Sequence, residues 1–200
     1  MSVNAEQVKK LREKTGAGFM DCKNALTEAA GDMDKAVDLL RQKGIDVAMA
    51  REGRAAEEGV IASYIHAGNQ IGVLVDLRSE TDFVARTDEF REFGRDIAMQ
   101  VAAMHPKWIA PEDVPCEALE HEREVLKQQA LEEGKPEHIV EKMVEGRLQK
   151  FYESVCLIKQ PFIRDDSLTI EDKLNELVST TGERIVIARF VRFQVGEEQE

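Results

Sequence analysis

The sequence predicts an α+β fold: an N-terminal module of three short helices, a helical connector, and a small antiparallel sheet packed with long helices. Three patterns carry that prediction. In "DCKNALTEA" the less polar residues Cys22, Ala25, Leu26 and Ala29 fall at i, i+3, i+4 and i+7, and Met33, Ala36, Val37 and Leu40 repeat the spacing. Each set lies on one helical face and requires a partner helix. Further on, Ile71, Val73, Val75 and Leu77 alternate with other residues, which is the period of a half-buried strand. Finally Phe83, Phe90, Phe93, Ile97, Val101 and Met104 step by 7, 3, 4, 4 and 3, a helical stripe.

In chain order, "TGAGF" over residues 15–19 lies between two helices and reads as a tight turn rather than a phosphate cradle. Gly31 followed by Asp32 reads as a helix stop and an N-cap, and Gly44 after "RQK" as a second stop with basic residues in the last turn. The Ala-rich, charged stretch 46–58 is a helical connector, weakened by Gly53, and a domain boundary is expected near residue 55. The division is thus a helical module over residues 1–55 and an α+β core over 56–200. Two runs rich in Val and Ile flank Ala67-Gly68-Asn69 and predict a β-hairpin over 59–78. Helices are expected over residues 82–104, 116–133 and 136–150, the last two separated by Gly134 and Pro136, and "GERIVIARFVRFQVG" is strand-like. That closing strand places Ile185, Ile187, Val191, Phe193 and Val195 on one face, ahead of a short acidic tail, "GEEQE".

Composition excludes several classes of function. Of 200 residues 42% are hydrophobic and 33% charged, which suits an ordinary soluble protein able to bury a core without covalent staples. The net charge of -12 argues against phosphate-dominated binding to nucleic acid. Residues 1–55 carry ten basic and nine acidic groups and residues 56–200 carry 17 and 30, so the acidity belongs to the second part. Cys22, Cys116 and Cys156 are scattered, which suggests neither a disulfide framework nor a zinc knuckle and fits a reducing compartment. The N-terminus is charged with no apolar h-region, and no run of 18 apolar residues occurs, so a cytosolic, non-membrane protein is expected.

No catalytic apparatus is visible. His66, His105, His121 and His138 sit in four different expected elements without metal-ligand spacing, so no metal or cofactor is expected. The abundant carboxylates, as in "EALEHERE", read as solvated helix faces. Phosphate-loop, nucleophile-elbow and dinucleotide motifs are missing from the sequence. The remaining candidates are apolar: Phe19 and Met20 in the first turn of the second helix, and Phe83. Spacing makes Phe83 a core residue of the long stripe, yet Arg86 and Thr87 occupy one turn of that face, so the first turn has reason to project beyond the buried part. Periodicity leaves both placements open.

Two long motifs resemble those of a known family. "LREKTGAGFMDCKNAL" over 11–26 resembles the N-terminal signature of bacterial elongation factor Ts, and "SETDFVAR" over 79–86 its second signature. "GKPEHIVEKMVEGRLQKF", "QPFIRDD" and "RFVRFQVG" extend the resemblance over nearly the whole chain. The chain departs from the family pattern where Asp76, Leu77 and Arg78 stand in place of the usual Glu-Leu-Asn, and where Phe19 stands at a position at which methionine is common.

The resemblance implies a guanine-nucleotide exchange factor for elongation factor Tu in translation elongation, not an enzyme, with a ubiquitin-associated-like N-terminal module. In the family the segment matching Thr81, Asp82, Phe83 and Val84 intrudes near the nucleotide site of the GTPase and displaces its Mg²⁺. The N-terminal module touches the GTPase as well, which carries Arg12, Phe19 and Met20 over as secondary contacts. Many relatives have two related half-cores and this chain has room for about one, which implies a homodimer built around the closing strand. The rival reading is a ubiquitin-like or peptide-binding adaptor, since the helical head resembles such modules. A carboxylate-based hydrolase is a more distant third.

Overall fold

The computed structural model describes residues 3–134 and 136–197, and of Glu137 the backbone only. The last three residues of the acidic tail, and Lys135 between the expected helices, lie outside the described residues. Helices α1 (Ala5–Thr15), α2 (Phe19–Glu28) and α3 (Met33–Arg51) come first, followed by strands β1 (Glu58–Ile65) and β2 (Ile71–Ser79). Then come a short helix α4 (Asp82–Ala85), α5 (Asp88–Met104), α6 (Cys116–Glu132), α7 (Glu137–Val155), β3 (Pro161–Phe162), β4 (Asp165–Thr169), α8 (Ile170–Thr181) and β5 (Ile185–Gln194). The chain is α+β, as its patterns predict.

Residue contacts divide it into two compact units. One takes in the chain up to Tyr64, Leu74–Ala98 and Glu171–Val191, and the other takes in Ile65–Val73, Met99–Ile170 and the chain from Arg192. In the first unit, α1 starts at a capping box in which Asn4 and Gln7 bond each other's backbone N–H, and it ends at Gly16 in the left-handed conformation. The predicted stripe Cys22, Ala25, Leu26 and Ala29 is buried against Val8, Leu11 and Ala36. Asp32 caps α3 by accepting from the N–H groups of Asp34 and Lys35.

The expected stop at Gly44 does not occur: α3 runs on to Arg51. Gly44 lies against α8, where a Cβ would sit in ordinary contact, 3.5 Å from the Asn175 carbonyl oxygen and 3.8 Å from Ser179 Cβ. The same contact is reinforced by the ion pair between Arg41 and Asp172.

The sheet has the order β1-β2-β5. Within the first unit Glu80 meets Arg184 and Asp76 meets Arg189, and within the second Gln70 meets Val195, so β5 runs antiparallel to β2. On β2, Val73, Val75 and Leu77 are buried as the alternation predicts. On β5, Ile185 and Ile187 are buried, whereas Val191, Phe193 and, just beyond the strand, Val195 are exposed. Helix α5 lies close on the sheet, because a Cβ on Gly94 would stand 2.9 Å from Ala62 Cβ and 3.5 Å from Leu77 Cδ2.

In the second unit α6 and α7 pair through Leu126, Ala130, Val140, Val144 and Leu148. Helix α7 extends five residues past its expected end at 150, to Val155. The buried Gln100 amide donates to Gln160 Oε1 (3.1 Å) and the Pro161 carbonyl (3.0 Å), and its oxygen accepts from the Ile163 N–H (3.0 Å). This closes the polar balance of an interior site. Strands β3 and β4 and helix α8 lie outside the elements read from the sequence. For α8 a signal existed, because Ile170, Leu174, Leu177 and Val178 recur at i, i+4, i+7 and i+8 behind an acidic first turn.

Candidate functional site

The expected continuous helix over residues 82–104 is two helices. The turn at Arg86 and Thr87 separates α4 from α5. Thr87 makes the break: its hydroxyl donates back to the Val84 carbonyl (2.9 Å) and accepts from the Phe90 N–H (3.3 Å), capping the start of α5. With the helical phase interrupted, Phe90, Phe93, Ile97 and Val101 are buried while Phe83 is 78% exposed. The core placement that spacing favours for Phe83 is therefore corrected, and Met104 at the far end of the stripe is exposed as well.

Phe83 stands on a single helical turn whose inward side is Val84 and Ala85, both buried. Thr81 caps that turn, its Oγ1 accepting from the Val84 N–H (3.4 Å). Asp82, which the sequence marks as a helix-start residue, occupies the first turn rather than the cap. It pairs with Arg86 at 2.7 Å, an exposed i,i+4 pair that contributes little to stability.

The turn is tied to the residues just ahead of β5 by two carboxylates exchanged between the segments. Glu183 accepts from the Thr81 N–H (3.0 Å) and from its hydroxyl (2.7 Å). In the other direction Glu80 accepts from the Arg184 N–H (2.7 Å) and from Arg54 (3.2 Å), while Arg184 donates to the Arg54 carbonyl. The Arg184 N–H, followed by Arg54 and Arg51, holds the Glu80 carboxyl below its usual range against the opposing effect of desolvation. Beneath the turn, the buried Ser79 hydroxyl donates to the Thr81 carbonyl (2.9 Å). Glu183, Glu80 and Arg184 escape local pattern analysis because their partners lie about a hundred residues away in the sequence.

The residues that depart from the family pattern form their own cluster on the sheet. Arg78 grips Asp76 at 3.0 and 2.8 Å and Arg189 adds a third bond at 3.2 Å, and the Arg78 hydrogen bond is the main reason the Asp76 carboxyl titrates below its usual range. The three N-terminal candidates are all exposed, Arg12 on α1 and Phe19 and Met20 in the first turn of α2. Thr81, Asp82, Phe83 and Val84 share one turn; Arg12 on α1, and Phe19 and Met20 on α2, belong to other helices of the same unit.

Burial pushes the Cys22 thiol up and the Cys156 thiol up to about 11, the reverse of what activates a nucleophile. Among the described residues no group of three His, Cys, Asp or Glu could hold a metal ion, and no helix is long and apolar enough to cross a membrane.

Fold and site together define an α+β protein that presents one exposed aromatic side chain on a clamped surface turn. The family described as elongation factor TS matches residues 3–197, and the chain belongs to that family. It is similar to the elongation factor Ts of Carboxydothermus hydrogenoformans, 58% identical over 98% of this chain and 90% of the relative. It is similar also to those of Thermoanaerobacter sp., 57% identical over 98% and 96%, and Caldanaerobacter subterraneus subsp. tengcongensis, 56% identical over 98% of each. Membership assigns the chain to the translation elongation factors.

Proposed function

We propose that the protein is a guanine-nucleotide exchange factor for elongation factor Tu, acting in the cytoplasm without chemistry of its own. The observation that carries this reading is Phe83, 78% exposed on a turn pinned by hydrogen bonds on both sides. A phenylalanine left in water on a rigid turn is set to enter a partner.

Thr81, Asp82, Phe83 and Val84 form the segment that displaces Mg²⁺ from the GTPase. The ion bridges phosphate oxygens and protein ligands there, so moving the elements that hold it weakens GDP binding. Phe83 is the wedge. Thr81 caps the turn, buried Val84 seats it, and Asp82 brings negative charge, partly offset by Arg86, to the metal's surroundings. Coupling is reciprocal: a factor that binds the nucleotide-free state more tightly weakens nucleotide binding by the same ratio.

The division into residues 1–55 and 56–200 belongs to the same proposal. The first, a ubiquitin-associated-like module, supplies secondary contacts through Arg12, Phe19 and Met20, and the second is a half-core that carries the wedge. Two copies pair through that half-core, without nucleic acid or membrane. Exposed Ile61, Leu74 and Val191 in the first unit, and Ile65, Phe193 and Val195 in the second, support pairing, since strands this apolar need cover.

The test is release of labelled GDP from elongation factor Tu on addition of the protein. Acceleration is expected; capture of ubiquitin-like proteins without acceleration would establish the adaptor reading instead. For assembly, sedimentation equilibrium is expected to give twice 22.5 kDa, and Phe193→Asp to return the monomer. A wild-type monomer at micromolar concentration rules the dimer out.

A further inference from the structure

The structure assigns Glu183 as a positioning residue for the Phe83 wedge, acting through Thr81 from the segment ahead of the neighbouring strand β5; this inference rests on the exchange-factor reading above. Helix α4 is four residues long, too short to hold itself, because the first helical turn fixes several dihedrals for a single hydrogen bond. Its direction must be set from outside. Val84 and Ala85 fix which side faces inward. They do not fix the rotation of Thr81, whose hydroxyl decides whether the turn is capped.

Glu183 supplies that constraint. Its two oxygens take both donors of Thr81, the N–H at 3.0 Å and the hydroxyl at 2.7 Å. Once the hydroxyl proton points to Glu183, a lone pair of the same oxygen is left for the Val84 N–H. The capping bond is long at 3.4 Å, so its survival depends on the hydroxyl being oriented. The carboxylate is itself held in place by its neighbour, since the Arg184 N–H is bonded to Glu80. Two consecutive residues on each segment thus clasp each other, and Phe83 is the third residue beyond Glu80.

Without Glu183 the Thr81 hydroxyl turns freely and the Thr81 N–H loses its acceptor, so the cap is intermittent and Phe83 spends part of its time misdirected. Only the correctly aimed fraction can act as a wedge, so the effect falls on GDP release within the complex more than on forming it. The test is a double-mutant cycle on labelled-GDP release from elongation factor Tu at saturating factor: wild type, Phe83→Ala, Glu183→Ala and the pair. Glu183→Ala is expected to slow release about tenfold, with a smaller change in the factor concentration that gives half-maximal rate. In the Phe83→Ala background the same substitution is expected to change nothing.

Glu183→Gln keeps an acceptor for the Thr81 N–H, but its amide nitrogen cannot take the hydroxyl proton, so a loss of about threefold is expected. It carries the same cycle should Glu183→Ala lose its circular-dichroism signal. If Phe83→Ala is slow while both Glu183 variants, folded, release GDP at the wild-type rate, the positioning role is overturned and the wedge stands. If the two losses multiply in the double variant, Glu183 acts independently of Phe83 and the assignment is likewise overturned. A wild-type rate for Phe83→Ala overturns the wedge and this inference together.

Discussion

Phe83 and Phe90 lie seven residues apart on what the spacing makes one helical face, yet the first is 78% exposed and the second 0%. Two hydroxyl caps produce the difference. Thr81 starts a four-residue helix and Thr87 starts another, so the apolar stripe loses its phase between them. The consequence is a separation of the two: α5 buries its phenylalanines, while α4 leaves its own at the surface. In a continuous helix one aromatic residue could not be removed from the core without twisting the rest of the stripe.

The comparison breaks most visibly at Phe90. Phe90→Ala is expected to cost about 3–5 kcal/mol by urea unfolding, since it empties a fully buried site under the sheet. A loss below about 1 kcal/mol would mean that the α5 stripe is no firmer than the α4 turn. Gly94→Ala comes next. Its new Cβ would meet Ala62 Cβ at 2.9 Å, and overpacking of this kind is expected to cost about 1–3 kcal/mol, read as a lower midpoint with an unchanged slope.

Thr87→Ala addresses the break itself. It deletes the cap on the Phe90 N–H and the bond to the Val84 carbonyl, with an expected cost of about 1 kcal/mol and a slower GDP release as α4 loosens. Faster release would show that the break restrains the wedge rather than aiming it. The smallest expected effect is one of acidity. Glu80 has its carboxyl lowered from 4.5 in the folded protein, so its contribution is complete at neutral pH and is lost as pH falls below about 4.5 toward the folded value. Glu80→Gln should therefore lose less of its melting temperature than wild type between about pH 6 and pH 4. An identical loss would place the acid sensitivity elsewhere.

The legible parts of the sequence were those with a local period. The hairpin follows from the alternation of Ile71, Val73, Val75 and Leu77, and the packing of α2 from Cys22, Ala25, Leu26 and Ala29. The break before α5 also had a local sign, Thr87 followed by Asp88 and Glu89, the composition of a helix start, but the long stripe outweighed it. Gly44 misleads because α3 runs straight through it to Arg51, packed against α8, rather than ending there. Glu183 was beyond reach, since nothing near residue 183 reveals that its carboxylate holds Thr81, 102 positions away. The family resemblance pointed to Phe83, and only the structure gives the clamp that keeps it exposed.

The central claim is that Phe83 acts outward. The most direct measurement is stopped-flow release of labelled GDP from elongation factor Tu by Phe83→Ala, with the melting temperature of the same sample. The expected result is a release rate lower by at least about tenfold, with the melting point moved by no more than about 2 °C, since an exposed side chain contributes little to stability. A wild-type release rate, or a melting point that collapses as it would for a buried phenylalanine, would contradict it.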